Sequence, residues 1–369
     1  MENPNAFKNL INDAVVKKIA SGILKVHPDF NKRRFLKLLI ILPSLELKAR
    51  VLLITTHLKT ELPNNYVESL KILMKTMEIE DLRGFSLWPF SEYISQFGLD
   101  HFDESMRAMY IFTDRFTAEF AVRPFILKNH KKVLKYFEKW IKDKNVNIRR
   151  WVSEGSRPLL PWGQRIPLFV MDPTHTLHLL DKLRFDEELY VRKSVANHLN
   201  DISKNHPQVV IDVLRMWHKD LPQIHNDKIK WITRHALRTL IKKGHPGALK
   251  LMGVQGRAEI RLKNFKITNP HVRLNDKISF SFEINSKSNN TQKLIIDYSI
   301  DFVKANGKMG KKVFKLKTQQ IAPGEDLLIE KKHWLKPITT MRFYSGLHHL
   351  CLQINGEVVH EATFTLEID

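Results

Sequence analysis

Hydrophobic side chains in the first two thirds of the chain recur every three or four residues, the spacing of one face of an α-helix. Val133, Leu134, Phe137 and Trp140 form one such set; Val209, Val210, Val213, Leu214 and Trp217 form another. Four segments, "LPNNYVESLKILMKT", "NHKKVLKYFEKWIKDKN", "DPTHTLHLLDKLRFDEE" and "NHPQVVIDVLRMWHKD", open on a turn signal, run through an apolar-periodic stretch and end polar. "VNIRRWVSEGS", "LYVRKSVANHL" and "WITRHALRTLI" read as partner helices. Ile148 and Val191 lie 43 residues apart, as do Glu154 and Asn197, and Arg238 follows 41 later. Helix pairs repeating near 40 residues predict a HEAT-like α-solenoid over residues 1–254.

From Gln255 the period drops to two. "KISFSFEIN", "KVFKLK" and "LCLQINGEVVHEATFTLEI" alternate apolar and polar positions, and Asn355-Gly356 between two such runs is a hairpin signal of type I′. Five to seven short strands predict an all-β immunoglobulin-like sandwich over 255–369. The fold class expected is an all-α HEAT-like repeat superhelix followed by that sandwich.

In a solenoid, equivalent helices stack and equivalent positions form a stripe. Ile148, Val152, Val191 and Val195 are expected in the core. Arg150, Glu154 and Arg157 lie on another face at i, i+4 and i+7, and the stripe continues through Arg192, Asn197, Asp201, Arg234, Arg238 and Lys242. Charge makes that stripe informative. The chain carries 60 Lys and Arg against 39 Asp and Glu, a net +21, which favours a polyanionic partner. From Gln255 onward there are eighteen basic and twelve acidic residues, so about +15 of the excess precedes the sandwich. Arginines along a concave stripe suit phosphates and set register without reading sequence. Each of them has the plain alternative of a solvated helix face.

Other chemistry is thinly represented. There is no P-loop, GxSxG or GxGxxG. His175 and His178 at i, i+3 lack a third-ligand pattern, so neither metal nor cofactor is expected. The single cysteine, Cys351, excludes an internal disulfide and fits a reducing cytoplasm. The first residues show no apolar run, and "LLIILP" is far short of a membrane span, so neither secretion nor membrane insertion is expected. Trp140, Trp151, Trp217 and Trp231 fall at apolar helical positions and read as core. Trp162 does not: between Pro161 and Gly163 it occupies a loop, where an indole can project into a groove or pack inward.

"RRWVSEGSRPLLPWG", "VRKSVANHLNDISKNHP" and "RHALRTLIKKGHPGAL" resemble the AlkC family of DNA-repair glycosylases, relatives of the AlkD type, over most of the chain. One subgroup of that family carries an Ig-like C-terminal domain. The resemblance implies monofunctional, hydrolytic removal of cationic alkylated bases from double-stranded DNA by a monomer, notably 3-methylcytosine and 1-methyladenine, with 3-methyladenine a further candidate. It also implies that the lesion is reached without a conventional flipped-base pocket. Family functional positions match Glu119 in "TAEFAVRP", Glu154 in "SEGSRP", Trp162 in "PWG" and Asp201 in "NHLNDISK"; Glu119 enters only this way.

The chemistry is coherent. A base alkylated at such a nitrogen is already cationic and leaves readily. What remains is to stabilise an oxocarbenium-like sugar and guide water to C1′, work suited to fixed carboxylates. An indole beside the positive charge adds roughly 0.5–2 kcal/mol. The alternative left open is a HEAT-repeat scaffold that binds nucleic acid or an acidic protein and catalyses nothing. A metal-dependent hydrolase rests on scattered histidines alone.

Overall fold

The computed structural model describes residues 6–219, 222–337 and 341–368. Two compact units divide the chain, one of Met1–Asn205 with Pro222–Ile232, the other of His206–Leu221 with Thr233–Asp369.

The first unit is helical. Helix Asp13–Val26 packs on Tyr66–Ile79, Leu47–Glu61 on Trp88–Phe97, and Val146–Gly155 on Leu189–Ile202. Asparagines start three of these elements: Asn12, Asn65 and Asn145 each accept a backbone N–H of the first turn through the side-chain oxygen. All four turn-led segments of the sequence are helical: Tyr66–Ile79, the second part of Arg123–Trp140, Thr174–Leu183 and Pro207–Lys219. Arg123–Trp140 breaks at Asn129, whose non-helical backbone (φ −156°, ψ 77°) restarts the helix and whose side chain caps Lys132. "WITRHALRTLI" is two pieces, Asn226–Ala236 and Arg238–Lys242, because Leu237 sits at φ −84°, ψ 0°.

Most of the expected core positions are filled, though Trp231, also read as core, is only half-buried. Ile148, Val152, Val191, Val195 and Trp151 have no exposed surface, and Trp217 has 1 %. Each fully buried aliphatic side chain contributes about 1.5–3 kcal/mol. Trp140 is half-buried, stacked on Trp151.

Among the described residues of the second unit, eight strands form a sandwich: β1 (Ile260–Ile267), β2 (His271–Arg273), β3 (Lys277–Ser286), β4 (Gln292–Val303), β5 (Met309–Ile321), β6 (Asp326–Trp334), β7 (Gly346–Ile354) and β8 (Glu357–Glu367). One sheet runs β1-β3-β6 and the other β2-β8-β7-β4-β5. Alternation sets the core, with Ile278, Phe280, Phe282 and Ile284 of β3 facing Leu294, Ile296, Tyr298 and Ile300 of β4. The count exceeds the expected five to seven because β2 has three residues, too few to alternate, and pairs parallel with β8.

Asn355 and Gly356 have φ of 51° and 80°, the signs a type I′ turn requires. The tip of that hairpin rests on the helix end at Gly244, where a Cβ on Gly356 would lie 2.0 Å from Gly244 Cα. The composition shift at Gln255 therefore falls inside the second unit, whose helices Pro207–Lys219, Arg238–Lys242 and Pro246–Leu251 cluster with the sheets.

Candidate active site

Asn145 starts helix Val146–Gly155 by accepting the Asn147 N–H at 2.8 Å. The buried side of that helix, Ile148, Trp151 and Val152, fixes its rotation, so Arg150 and Glu154 project together one turn apart. The facing helix Leu189–Ile202 buries Val191, Val195 and Leu199, and thereby aims Ser194 and Asp201 at the same place. Glu119 arrives from the segment between helices Phe102–Thr113 and Arg123–Trp140, where Thr113 Oγ1 accepts the Ala118 N–H at 3.2 Å.

Carboxylates and guanidinium groups alternate along this cluster. Arg150 Nη1 donates to Glu119 Oε2, and Arg150 Nη2 lies 3.4 Å from Glu154 Oε1. Arg157 Nη1 donates to Glu154 Oε1 at 2.7 Å and its Nε to Asp201 Oδ2 at 2.8 Å. Ser194 Oγ donates to Glu154 Oε2 at 2.6 Å, Thr117 Oγ1 to Glu119 Oε2 at 3.0 Å, and Lys204 Nζ to Asp201 Oδ1 at 3.0 Å. Glu119, Glu154 and Asp201 are 8 %, 5 % and 2 % exposed, a burial that carboxylates sustain as anions only with counter-charge at hand. Glu119 Oε1 alone among these six oxygens has no protein hydrogen bond among the described residues.

The two glutamates titrate in opposite directions. Burial works to raise Glu154, but Arg150 and Arg157 outweigh it and hold the carboxyl below its ordinary range. For Glu119 burial wins: Arg150 pulls down, the charge on Glu154 pushes up, and the carboxyl sits above its ordinary range.

A cleft of about 380 Å³ opens onto this cluster. Phe85, Trp88, Phe116, Phe120 and Trp162 wall it, with Leu160 and Pro161, and its polar lining is Thr117, Glu119, Glu154 and Arg157. Trp88 and Phe120 stack at 5.2 Å. Trp162 stands 57 % exposed in a turn closed by Gly163 N–H donating to Leu160 O at 3.1 Å. Proline at the second position and φ +65° at the third are the signs of a type II turn, where glycine is usual. Lys48 Nζ holds the Trp162 carbonyl at 2.9 Å.

The sequence-expected residues thus divide. Glu119, Glu154 and Trp162 line one cleft. Asp201 stands behind Arg157 and does not line it. Arg150 and Arg157, expected to meet phosphates, instead turn onto the carboxylates, because three buried anions require them; Arg157 is 6 % exposed. Arg150 also lies over the Tyr190 ring at 5.1 Å. Asn197 is half-buried on helix Leu189–Ile202. Arg234 and Lys242 are exposed and Arg238 donates to His235 O at 2.6 Å, all three in the second unit, where they line a 230 Å³ hollow with Lys315 and the buried Asp297. Burial pushes Asp297 up to about 6 against the pull of Lys242 and Lys315.

Four aromatic walls and Arg123 escaped the sequence reading. Phe85 and Trp88 lie in successive helical segments and Phe116 and Phe120 in the connection between helices Phe102–Thr113 and Arg123–Trp140, and pattern alone does not separate a cleft wall from core. Arg123 did carry a signal, a lone cation inside the apolar run "FAVRPFIL". Among the described residues no group of three or more His, Cys, Asp or Glu is arranged to hold a metal ion, and no helix is long and apolar enough to cross a membrane.

Residues 113–240, which contain the whole carboxylate cluster, match the family model of DNA alkylation repair enzymes, and residues 261–368 match that of the YhaZ C-terminal Ig-like domain. The chain belongs to the AlkC family of DNA alkylation repair enzymes, in the branch that carries a C-terminal Ig-like domain. YhaZ of Bacillus subtilis (strain 168), itself described as uncharacterised, is 41 % identical over 359 residues, which cover 97 % of this chain and 98 % of that protein. The solved structure of Pseudomonas fluorescens alkylpurine DNA glycosylase AlkC, bound to DNA containing an abasic site analogue, is similar at a TM-score of 0.90. It is 37 % identical, and the likeness covers 98 % of this chain and 99 % of that one.

Proposed function

We propose that this chain is a monofunctional DNA glycosylase that hydrolyses the N-glycosidic bond of cationic alkylated bases, 3-methylcytosine and 1-methyladenine foremost and 3-methyladenine as well, in double-stranded DNA. The observation that carries this reading is the pairing of an aromatic-walled cleft with two carboxylates at its polar edge. Aromatic faces attract a cationic base, and carboxylates favour a cationic sugar. A non-catalytic scaffold has no use for that combination.

Glu154, held ionised by Arg150 and Arg157, faces the positive charge that develops on the sugar. The C1′–N bond breaks with its electron pair passing to the base, which leaves neutral. Water oxygen then bonds to C1′ and loses its proton to Glu119, whose Oε1 is open and whose raised pKa suits a base. Asp201 fixes Arg157, and through it Glu154. Trp162 lies against the lesion or its sugar. Arg234, Arg238 and Lys242, with Asn197, contact the DNA. The helical unit is read as a HEAT-like superhelix acting as a cytoplasmic monomer, with the sandwich adding a second DNA-binding surface.

Matched duplexes carrying 3-methylcytosine, uracil or 8-oxoguanine, treated with alkali after incubation, test this. Excision of 3-methylcytosine with little or none of the other two is expected, since neutral bases need pocket donors and those lining this cleft, Thr117 and Arg157, already donate to carboxylates. Comparable rates on uracil and 3-methylcytosine would remove the lesion's charge as the driving feature.

A further inference from the structure

Arg123 has no step in the reaction above, yet it is fully buried, one of the largest side chains with no exposed surface. Its guanidinium is spent on backbone: Nη1 donates to Gly155 O at 3.1 Å, Nη2 to Arg157 O at 2.9 Å, and Nε to Gln164 O. Among the described residues none of its nitrogens forms an ion pair with a carboxylate. Burial lowers it to about 10, Arg157 adds to that, and Asp201, Glu119 and Glu154 offset part, so it stays charged near neutral pH.

A buried cation held only by carbonyls is costly, and its position shows what it secures. Gly155 directly follows Glu154, and Gln164 is two residues beyond Trp162. Two of the three carbonyls therefore lie just after the carboxylate and the third just after the indole. A planar fork with donors in fixed directions can hold three acceptors at once; an ammonium cannot reproduce that geometry. Gly163 leaves room for it, since a Cβ there would lie 3.2 Å from both Arg123 Cδ and Nε. The turn it steadies contains Trp162 at φ +65°, a backbone state that needs outside support.

We propose that Arg123 is a positioning residue that locks Glu154 and Trp162 into one rigid pair by clasping both ends of residues 155–164 through their backbone carbonyls. The kinetic consequence rests on the glycosylase reading; the clasp itself does not.

Two variants separate these. Arg123→Lys keeps the charge and loses the fork; Gly163→Ala keeps Arg123 and crowds it. In both, amide hydrogen exchange across residues 158–166 should accelerate about tenfold while helix Leu189–Ile202 is unchanged. Single-turnover excision of 3-methylcytosine at saturating enzyme should fall about 100-fold. Affinity for DNA with an abasic site analogue should stay within about twofold, since no DNA-contacting side chain is altered. Arg123→Met, which loses the charge as well, should also move the acidic limb of the rate profile to higher pH, which a purely mechanical loss would not do. A folded Arg123→Lys protein with a protected loop and full rate would overturn the proposal. So would exchange that accelerates equally throughout the unit. If Arg123→Lys does not fold, Gly163→Ala decides by the same readings. If the wild-type protein excises nothing, the glycosylase reading falls, and loop exchange still decides the clasp.

Discussion

Replacing Glu154 by Gln removes one charge and almost no volume, so the surrounding bonds determine its effect. Arg150 and Arg157 each lose one partner but keep another: Arg150 retains Glu119 and Arg157 retains Asp201 at 2.8 Å. Three carboxylates on two guanidinium groups become two one-to-one pairs, so no buried cation is stranded. The loss that accompanies removal of a lone partner, about 3–5 kcal/mol, is not expected. Stability should change by roughly 1 kcal/mol, read from urea unfolding. Catalysis should change far more, because the anion facing the sugar is gone. Single-turnover excision of 3-methylcytosine should fall 100-fold or more, on the order of 3 kcal/mol. Affinity for undamaged DNA should hold or improve, since a negative charge has left the binding surface. The residual activity offers a second check. Glu154 helps to raise Glu119, so in the variant the acidic limb of the rate profile should move to lower pH. A folded Glu154→Gln protein with undiminished excision would refute the assignment.

Three further outcomes are expected from the same structure. If Glu119 accepts the proton from water, it must be ionised to work, so the wild-type rate falls as pH drops through its raised pKa, and Glu119→Gln should abolish that limb in single-turnover profiles. Trp162→Gly relieves a left-handed backbone and removes an exposed indole, so the thermal midpoint should shift by no more than about 1 kcal/mol equivalent. Its excision rate should fall about 3- to 30-fold, the worth of a cation–π contact. Gly356→Ala meets both φ +80° and a backbone 2.0 Å away and should cost more than about 2 kcal/mol, whereas Gly307→Ala, at φ +72° in open space, should cost about 1 by chemical denaturation.

The elements that local pattern controls were legible beforehand. Alternation and Asn355-Gly356 define β7, β8 and the turn between them, and helical periodicity places Ile148, Val152, Val191 and Val195 in the core. Glu154 stood out as a carboxylate among arginines, and Trp162 as an indole between proline and glycine. What the arginines do was not legible. Arg157 and Asp201 are 44 residues apart, and their meeting depends on how two helices pack, which spacing alone leaves open. Charge composition suggested an open cationic stripe; burial turned its central members inward onto anions. The cleft walls were hidden for a related reason. The rings of Phe85 and Phe116, 31 residues apart in the chain, lie 5.7 Å apart between centroids, and an aromatic residue looks the same in sequence whether it faces core or cavity.

The seating of the Asn355-Gly356 tip on Gly244 bears on how such a chain can be recombined. A crossover at Gln255, where the composition changes, would deliver a helical segment whose Gly244 is shaped for an absent neighbour, and a sandwich whose hairpin tip has lost its seat. Helices Pro207–Lys219 and Pro246–Leu251 meet where Gly247 approaches Ile211, so they too belong with that seat. The sandwich and these helices are therefore one structural block, and because Pro222–Ile232 between them belongs to the first unit, the seam visible in composition is not a boundary at which the chain can be cut cleanly.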